Sequence, residues 1–149
     1  MSESQPNIAL INITDHDDAI REIRLARPPA NAINPDLVTA LNQALDQAAE
    51  DRMSGVILTG APGLFSAGLD VPELFTLDEA GMRAFWSDFF ALLQRVARSP
   101  MPIVAALTGH SPAGGTVIAL FADYRIQATG PYQLGLNEVQ VGLVVPPVI

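Results

Sequence analysis

Short apolar segments bounded by turn residues alternate along this chain with segments whose apolar residues recur at helical spacing. This alternation predicts an α/β domain in which helices cover a largely parallel sheet. The predicted strands cover residues 7–13, 19–25, 56–59, 103–107 and 124–128, and the predicted helices cover residues 35–50, the stretch from the turn at 76–79 to residue 96, and residues 116–122. Because no linker or short repeat interrupts the pattern, residues 1–149 are interpreted as a single domain.

Local signals refine the ends of these segments. The acidic residues 15–18 are typical of a turn, so the first two strands are predicted to form a hairpin. Asn34 followed by Pro35 predicts the start of the first long helix. Thr76 and Glu79 have the spacing of a capping box before the second. Residues 109–115 are rich in glycine and are predicted to form a turn between a strand and a buried helix.

The charged residues and the missing residue types exclude several classes of function. The chain has a formal net charge of -8, all eight of its cations are arginine, and it contains no lysine and no cysteine. Schiff-base catalysis, a P-loop lysine, disulfides, thiolate catalysis and cysteine metal sites are therefore excluded. The negative charge argues against binding to nucleic acid or to anionic membranes. The polar, acidic N-terminus lacks the pattern of a signal or transit peptide, so we expect a cytoplasmic protein.

Two glycine-containing segments resemble nucleotide or nucleophile motifs only in part. Residues 109–116 have the spacing of a Walker A loop, but Gly115 stands where that loop needs lysine. Residues 63–70 would be a nucleophile elbow only if position 64 were glycine, and it is Leu64. A catalytic triad on Ser66 would need His16 or His110, and the sequence marks neither as its neighbour. Each segment is instead able to present backbone N–H groups, and two such loops facing each other would form an oxyanion hole.

The remaining candidate groups are a few isolated polar side chains. His16 is interpreted as a solvated turn residue, and His110 as a packing or hydrogen-bonding residue beside the glycine turn. Asp123 is expected to cap or pair structurally. Glu138 is the only acidic residue after Asp123 and lies among small and apolar neighbours. If it is buried, its pKa should rise toward that of a base for carbon acids; the alternative is an ordinary surface carboxylate.

Taken together, Phe65-Ser66-Ala67-Gly68-Leu69-Asp70 and Gly109-His110-Ser111-Pro112-Ala113-Gly114-Gly115 resemble the two oxyanion-hole signatures of the crotonase (enoyl-CoA hydratase/isomerase) superfamily. Their order and separation also fit. With Asp123-Tyr124-Arg125-Ile126 and Gly135-Leu136-Asn137-Glu138, the chain is most similar to the mitochondrial-type Δ3,Δ2-enoyl-CoA isomerases of that superfamily. The resemblance spans nearly the whole chain.

The resemblance implies a role for individual residues. The backbone N–H groups of Ala67 and Gly114 would hold the thioester oxygen of an acyl-CoA, and Glu138 would carry the proton. The second glutamate of the family's hydratases matches Val117, which cannot ionise, so isomerisation is favoured over the addition of water. The resemblance further suggests that Arg24 or Arg27 contacts the CoA phosphates. The residues that it suggests for substrate and CoA binding are Arg27, Ala30, Ala32, Ser66, Gly68, Leu69, Asp70 and Gly115.

The fold that the resemblance implies is a spiral of ββα repeats followed by a C-terminal helical region, assembled as trimers or dimers of trimers. Because residues 141–149 are apolar and lack a closing turn, we expect an N-terminal core domain that is truncated before that region or completed by another subunit. The expected reaction moves a 3-enoyl-CoA double bond to position 2 in fatty-acid β-oxidation. It would use no metal and no cofactor, since CoA is part of the substrate.

Other functions compatible with the sequence are a hydratase or another CoA-ester enzyme that enolises its substrate, and a non-catalytic acyl-CoA-binding or truncated chain. The product of a reaction on enoyl-CoA separates the first two, because only a hydratase adds water. A binding protein would be indifferent to replacement of Glu138.

Overall fold

Two β-sheets organise residues 9–137, the part of the chain that the computed structural model describes. Five strands form the larger sheet, in the order β1-β2-β3-β5-β7: β1 (Ile11–His16), β2 (Ile20–Leu25), β3 (Gly55–Thr59), β5 (Ile103–Leu107) and β7 (Tyr124–Gln127). Three short strands form the second sheet, in the order β4-β6-β8: β4 (Gly63–Leu64), β6 (Gly109–Pro112) and β8 (Leu134–Gly135).

The larger sheet is parallel except at one edge, as the alternation of strands and helices predicts. β1 and β2 form an antiparallel hairpin, whereas β2, β3, β5 and β7 pair in parallel. The predicted hairpin is therefore confirmed, with a displaced turn. His16 still pairs with Ile20, so the chain reverses in the 3-10 turn Asp17–Ala19 and not over residues 15–18.

Within residues 9–137, four α-helices connect the strands: α1 (Pro35–Glu50), α2 (Val71–Leu74), α3 (Glu79–Ala97) and α4 (Gly114–Phe121). The start of α1 is confirmed, because the side chain of Asn34 accepts a hydrogen bond from the N–H of Leu37. The predicted capping box at Thr76 is wrong. Asp78 is the N-cap of α3 and accepts from the N–H of Gly81, while the Thr76 hydroxyl donates to the carbonyl of Glu73.

One hydrophobic core joins the helices to the larger sheet. Alternate residues of β2 and β5 are buried, as expected for strands with one face against helices. Side chains from both long helices fill the same core, and its largest fully buried members include Ile23, Leu37, Leu41, Phe65, Phe89, Leu92, Ile103 and Ile118. Burial of this apolar area stabilises the packing of the helices on the sheet, and thereby holds the edge of the sheet from which the connecting loops leave.

Two parts of the structure differ from the sequence-based expectation. Residues 109–115 are not a turn throughout, because Gly109–Pro112 is strand β6 and α4 already begins at Gly114. The strand predicted at 124–128 is present as β7, yet all four of its residues are exposed. Among the helices described here, none is long and apolar enough to cross a bilayer.

Candidate active site

The loop that follows β4 meets the beginning of α4, and this junction is the candidate site. A Cβ added to Gly68 would lie 3.2 Å from the carbonyl oxygen of Pro112 and 3.4 Å from the nitrogen of Gly114. A Cβ added to Gly114 would lie 3.4 Å from the nitrogen of Leu69. Gly68 also has a φ of +88°, a backbone conformation that other residues rarely adopt. Glycines therefore allow the amides of Leu69 and Gly114 to lie side by side.

The direction of the Leu69 amide follows from its neighbours. Ile33 donates its N–H to the carbonyl of Gly68 and accepts at its own carbonyl from the N–H of Asp70, both at 2.8 Å. Since the polar groups of successive residues in an extended pair point to opposite sides, the N–H of Leu69 points away from Ile33. No acceptor for it occurs within residues 9–137.

The Gly114 amide is the other donor. Gly114 is the first residue of α4, where the N–H groups have no partner inside the helix. Across the described part of the chain no other acceptor contacts it. The positive end of the helix dipole adds to its attraction for a negative oxygen. Two unpaired amides that face one space can stabilise an oxyanion.

The structure does not place Ala67 as a donor to that space, so this sequence-based assignment is corrected. The N–H of Ala67 donates to the carbonyl of Ala30 at 3.0 Å. The contact joins the loop before α1 to the loop after β4. Leu69, two residues further along and predicted only to bind substrate, is the residue whose N–H stays available.

Ser66 and Gly115 lie behind the donors. The Ser66 side chain is fully buried, donating its hydroxyl to the carbonyl of Asn31 at 2.8 Å and accepting from the N–H of Gly68 at 3.1 Å. The Ser66 hydroxyl therefore has no histidine partner, which argues against a catalytic triad, and Ser66 meets His110 only through its backbone N–H, 3.4 Å from the His110 carbonyl. A Cβ on Gly115 would lie 2.7 Å from the Oγ of Ser111 and 3.1 Å from the Cβ of Ser66. Gly115 is therefore required by packing.

The guanidinium groups expected at the CoA phosphates are already engaged. Arg27 forms ion pairs with Asp70 at 2.7 Å and Glu73 at 2.8 Å, and donates to the carbonyl of Ala32 at 3.0 Å. Arg24 donates to the carbonyl of Gly60 and to Glu22. The geometry therefore opposes a phosphate contact for either arginine.

His110 and Asp123 have the structural contacts that the sequence favours, whereas His16, expected in a turn, is the last residue of β1. The Nδ1 of His110 lies 3.1 Å from the backbone nitrogen of Gln133, and its ring packs edge-on against Tyr132. His16 contacts Glu22 on the exposed side of the hairpin. Asp123 accepts from the N–H of Ile103 at 2.8 Å, which ties the end of α4 to the start of β5.

The segment that leads to the expected base is fixed against the donors. The carbonyl of Gly135 accepts from the N–H of Ala113, and the N–H of Gly135 donates to the Oγ1 of Thr116, both at 2.9 Å. Glu138 itself lies outside the described residues. Val117 is buried in α4, with 3% of its surface exposed, and contributes no carboxylate.

Displaced pKa values occur on the hairpin, at the end of α1 and in α3. On the hairpin, hydrogen bonding to the Arg21 guanidinium lowers the pKa of Asp15, and the same group lowers the pKa of Asp51 at the end of α1. Hydrogen bonding to His16 lowers the pKa of Glu22. Within the described range no cluster of His, Asp or Glu has a geometry suited to a metal ion.

Sequence reasoning missed the polar residues that hold this junction together. Asn31 is buried and has a φ of +49°, a conformation in which asparagine is favoured among non-glycine residues. An asparagine between alanines after Pro28 and Pro29 is the signal that could have identified a tight turn there. For Glu73 and Thr116 no signal was available, because both act through partners distant in sequence.

Comparison with known proteins identifies relatives of this chain. The family model described as enoyl-CoA hydratase/isomerase matches residues 15–149. The mitochondrial enoyl-CoA delta isomerase 1 of Mus musculus is 38% identical over 136 residues, which are 89% of this chain and 47% of that protein. The chain thus spans about half the length of the curated relatives it matches.

Solved structures give the same result. Human mitochondrial delta3-delta2-enoyl-CoA isomerase superposes with a TM-score of 0.87 and 35% identity, over 92% of this chain and 55% of that one. An enoyl-CoA hydratase from Bacillus anthracis superposes with a TM-score of 0.83 and 31% identity, over 91% of this chain and 53% of that one. Both the expected crotonase fold and the resemblance to the isomerases are confirmed, and the chain belongs to the enoyl-CoA hydratase/isomerase family.

Proposed function

We propose that this chain carries the oxyanion hole and the base of a Δ3,Δ2-enoyl-CoA isomerase acting in fatty-acid β-oxidation. The observation that carries the proposal is the pair of adjacent amides, Leu69 and Gly114, with no acceptor within residues 9–137. The similarity to isomerases of mouse and human supports the choice of reaction.

The proposed reaction is a proton transfer between two carbons of the acyl chain. The Glu138 carboxylate removes a proton from C2 of the 3-enoyl thioester, and the electron pair moves onto the thioester oxygen. The N–H groups of Leu69 and Gly114 donate to that oxygen. The electron pair then returns from the oxygen to restore the C=O bond, the C1–C2 π pair forms the double bond between C2 and C3, and the π pair of the former C3–C4 double bond takes the proton from Glu138 at C4.

The donors are needed because a thioester α-proton is too weakly acidic for an unassisted carboxylate. Each preorganised donor is expected to lower the barrier by about 3 kcal/mol, the value typical of a single oxyanion-hole deletion. The reaction is neutral in electrons, so we propose that it requires no metal and no redox cofactor. CoA enters only as part of the substrate.

Val117 favours isomerisation over hydration. Adding water needs one group to activate the water and another to handle the α-proton, whereas one carboxylate can remove and return a single proton. A buried valine close to Gly114 cannot serve as the second group. Hydratases of known structure are nevertheless similar to this chain, so hydration is the second candidate.

The test is incubation of the chain with a 3-enoyl-CoA, followed by chromatography with mass detection. We expect an isobaric 2-enoyl product that is lost in Glu138→Gln and retained in Glu79→Gln, a control carboxylate on the exposed face of α3. A product heavier by one water would favour the hydratase. Acyl-CoA binding without turnover, unchanged in Glu138→Gln, would favour a binding protein.

The oligomeric state and the cellular compartment of the protein can be tested separately from its reaction. We propose a homotrimer or a dimer of trimers in the cytoplasm. Light scattering coupled to size-exclusion chromatography would test the assembly, and a monomer at micromolar concentration would contradict it. Microscopy of a tagged chain in its own cell would test the compartment.

A further inference from the structure

The polar residues before α1 form a clamp around the Leu69 amide. We define the clamp as Arg27 and Asn31, which contact the segments on the two sides of Leu69. We infer that the clamp consists of positioning residues, which set the direction of the Leu69 N–H and thereby the strength of the oxyanion hole. The inference rests on the proposed function, because it assigns a purpose to that donor.

Asn31 fixes the chain on the N-terminal side of Leu69. Its Nδ2 donates to the carbonyl of Phe65 at 3.0 Å, and its carbonyl accepts from the Ser66 hydroxyl at 2.8 Å. Its Oδ1 accepts from the N–H of Arg27 at 2.9 Å. Only 4% of Asn31 is exposed, so these bonds are made in a region from which water is largely absent.

Arg27 fixes the chain on the C-terminal side of Leu69. Its guanidinium joins the carboxylate of Asp70 and the carboxylate of Glu73, at the first turn of α2, to the carbonyl of Ala32. The side chains of Arg27 and Asp70 are 19% and 18% exposed, so this ion pair is partly shielded from solvent. A partly buried, hydrogen-bonded guanidinium holds geometry better than an exposed one.

The two halves of the clamp act on the same short segment. Asn31 and Arg27 hold each other, since the N–H of Asn31 also donates to the carbonyl of Arg27 at 2.7 Å. Ile33, two residues after Asn31, forms hydrogen bonds with Gly68 and Asp70, the residues on either side of Leu69. The Leu69 amide therefore cannot rotate toward or away from Gly114 unless this network changes. Misplacement of a catalytic group by about 1 Å can cost about 100-fold in rate.

The test uses Asn31→Gly and Arg27→Met. Glycine tolerates the positive φ of position 31 but removes both side-chain hydrogen bonds. Methionine keeps the apolar stem of Arg27 and removes the ion pairs, while Arg27→Lys retains a positive charge for Asp70 and Glu73. Arg95→Met is the matched control, because it breaks an ion pair with Asp46 between α1 and α3, away from the site.

Two measurements separate positioning from general stability. The near-ultraviolet spectrum of bound 2,4-hexadienoyl-CoA reports how strongly the donors polarise the thioester, and isothermal calorimetry gives its dissociation constant. Thermal unfolding without ligand shows that each variant is folded. We expect a red shift in the wild type that is largely lost in Asn31→Gly and Arg27→Met, with binding retained. kcat is expected to fall by about 100-fold. The shift should persist in Arg27→Lys and Arg95→Met.

Each other result overturns a stated claim. If the wild type gives no red shift, the oxyanion hole and the proposed function fail, and the clamp fails with them. If the wild type gives the shift and both clamp variants keep it, the clamp does not position Leu69. If Arg27→Met keeps the shift but binds more weakly, by an amount that decreases as salt is added, Arg27 contacts the CoA phosphates instead.

Discussion

At the scale of single residues, Thr116 links the start of α4 to strand β8. Its Oγ1 donates to the carbonyl of Ser111 and accepts from the N–H of Gly135. Thr116→Val keeps the shape of the side chain and removes the two hydrogen bonds that the hydroxyl makes to backbone groups of β6 and β8. We expect a loss of about 1–3 kcal/mol in the free energy of unfolding, measured by urea titration. Thr116→Ser, which keeps the hydroxyl, should retain most of the stability; equal losses in the two variants would show that the methyl group matters instead.

Residues with local partners were predictable, and residues with distant partners were not. Asn34 was identified as a cap because its partner is the N–H of Leu37, within the same helical turn. The assignment of the second donor to Ala67 was wrong because the direction of an amide depends on its hydrogen-bond partners. The partner of the Ala67 N–H is Ala30, and the partner of the two residues that flank Leu69 is Ile33. Both partners lie more than thirty residues away in the sequence.

At the scale of secondary-structure elements, the pairing of β4 with β6 depends on the absence of a side chain at Gly109. An added Cβ would lie 1.9 Å from the carbonyl carbon of Gly63 on the neighbouring strand. Since backbone atoms must move apart, we expect Gly109→Ala to destabilise the fold by several kcal/mol, as strongly overpacked core positions do, at about 3 kcal/mol or more. A lowered melting temperature measured by circular dichroism would show this.

Gly81→Ala provides the comparison for Gly109→Ala. Gly81 lies in the first turn of α3, where an added Cβ would approach side-chain atoms alone, at 3.2 Å from the Oδ1 of Asp78 and 3.4 Å from the Cβ of Leu77. Alanine is favoured over glycine in helices by about 1 kcal/mol, so this variant should be neutral or slightly stabilising. If the two variants had the same stability, the close approach of β4 and β6 would not constrain the fold.

Arg21 links the hairpin to the end of α1 by ion pairs, and these ion pairs make the free energy of unfolding depend on pH. Arg21 is 7% exposed and pairs with Asp15 and Asp51, whose pKa values it lowers below their ordinary value of 3.8. A carboxylate with a lowered pKa contributes stability above its unfolded-state pKa and loses that contribution as the pH falls toward its folded-state pKa. We therefore expect the free energy of unfolding to be constant between pH 7 and 5 from this source and to fall below about pH 4.

Asp51→Asn tests this pH dependence. Urea titrations at pH 7, 5, 4 and 3 should show a shallower acid loss in the variant than in the wild type, because one of the two linked carboxylates has been removed. Asp36→Asn, an exposed carboxylate at the first turn of α1, is the control. Parallel curves for wild type and Asp51→Asn would show that other carboxylates cause the acid loss.

Most long elements followed from the sequence because each has a local pattern, whereas the second sheet has none. β4 and β8 contain two residues each and form only because β6 lies between them. The helix α3 was predicted from its apolar spacing, but its start at Asp78 was missed because Thr76 and Glu79 satisfy the capping pattern equally well. The choice between two competing caps depends on α2, whose last turn engages Thr76 through Glu73.

At the scale of the whole molecule, the charge distribution predicts how an acyl-CoA responds to salt. The chain has a net charge of -8 and no lysine, and the arginines nearest the candidate site are paired with carboxylates. The phosphates of CoA therefore approach a protein of the same sign without a free cation to receive them at Arg24 or Arg27. Added salt screens that repulsion, because the Debye length falls from about 30 Å at 0.01 M to about 8 Å at 0.15 M.

We therefore expect the dissociation constant of an acyl-CoA to stay constant or to fall as ionic strength rises from about 0.01 to 0.15 M. Calorimetric titrations at several salt concentrations would measure it, with Arg24→Gln and Arg27→Lys as variants that leave the sign of the trend unchanged. Affinity that weakens steadily with salt would contradict this reading of the site. Such a trend would require a phosphate-binding cation, and its loss in Arg24→Gln or Arg27→Met would identify which guanidinium exchanges its carboxylate for the ligand.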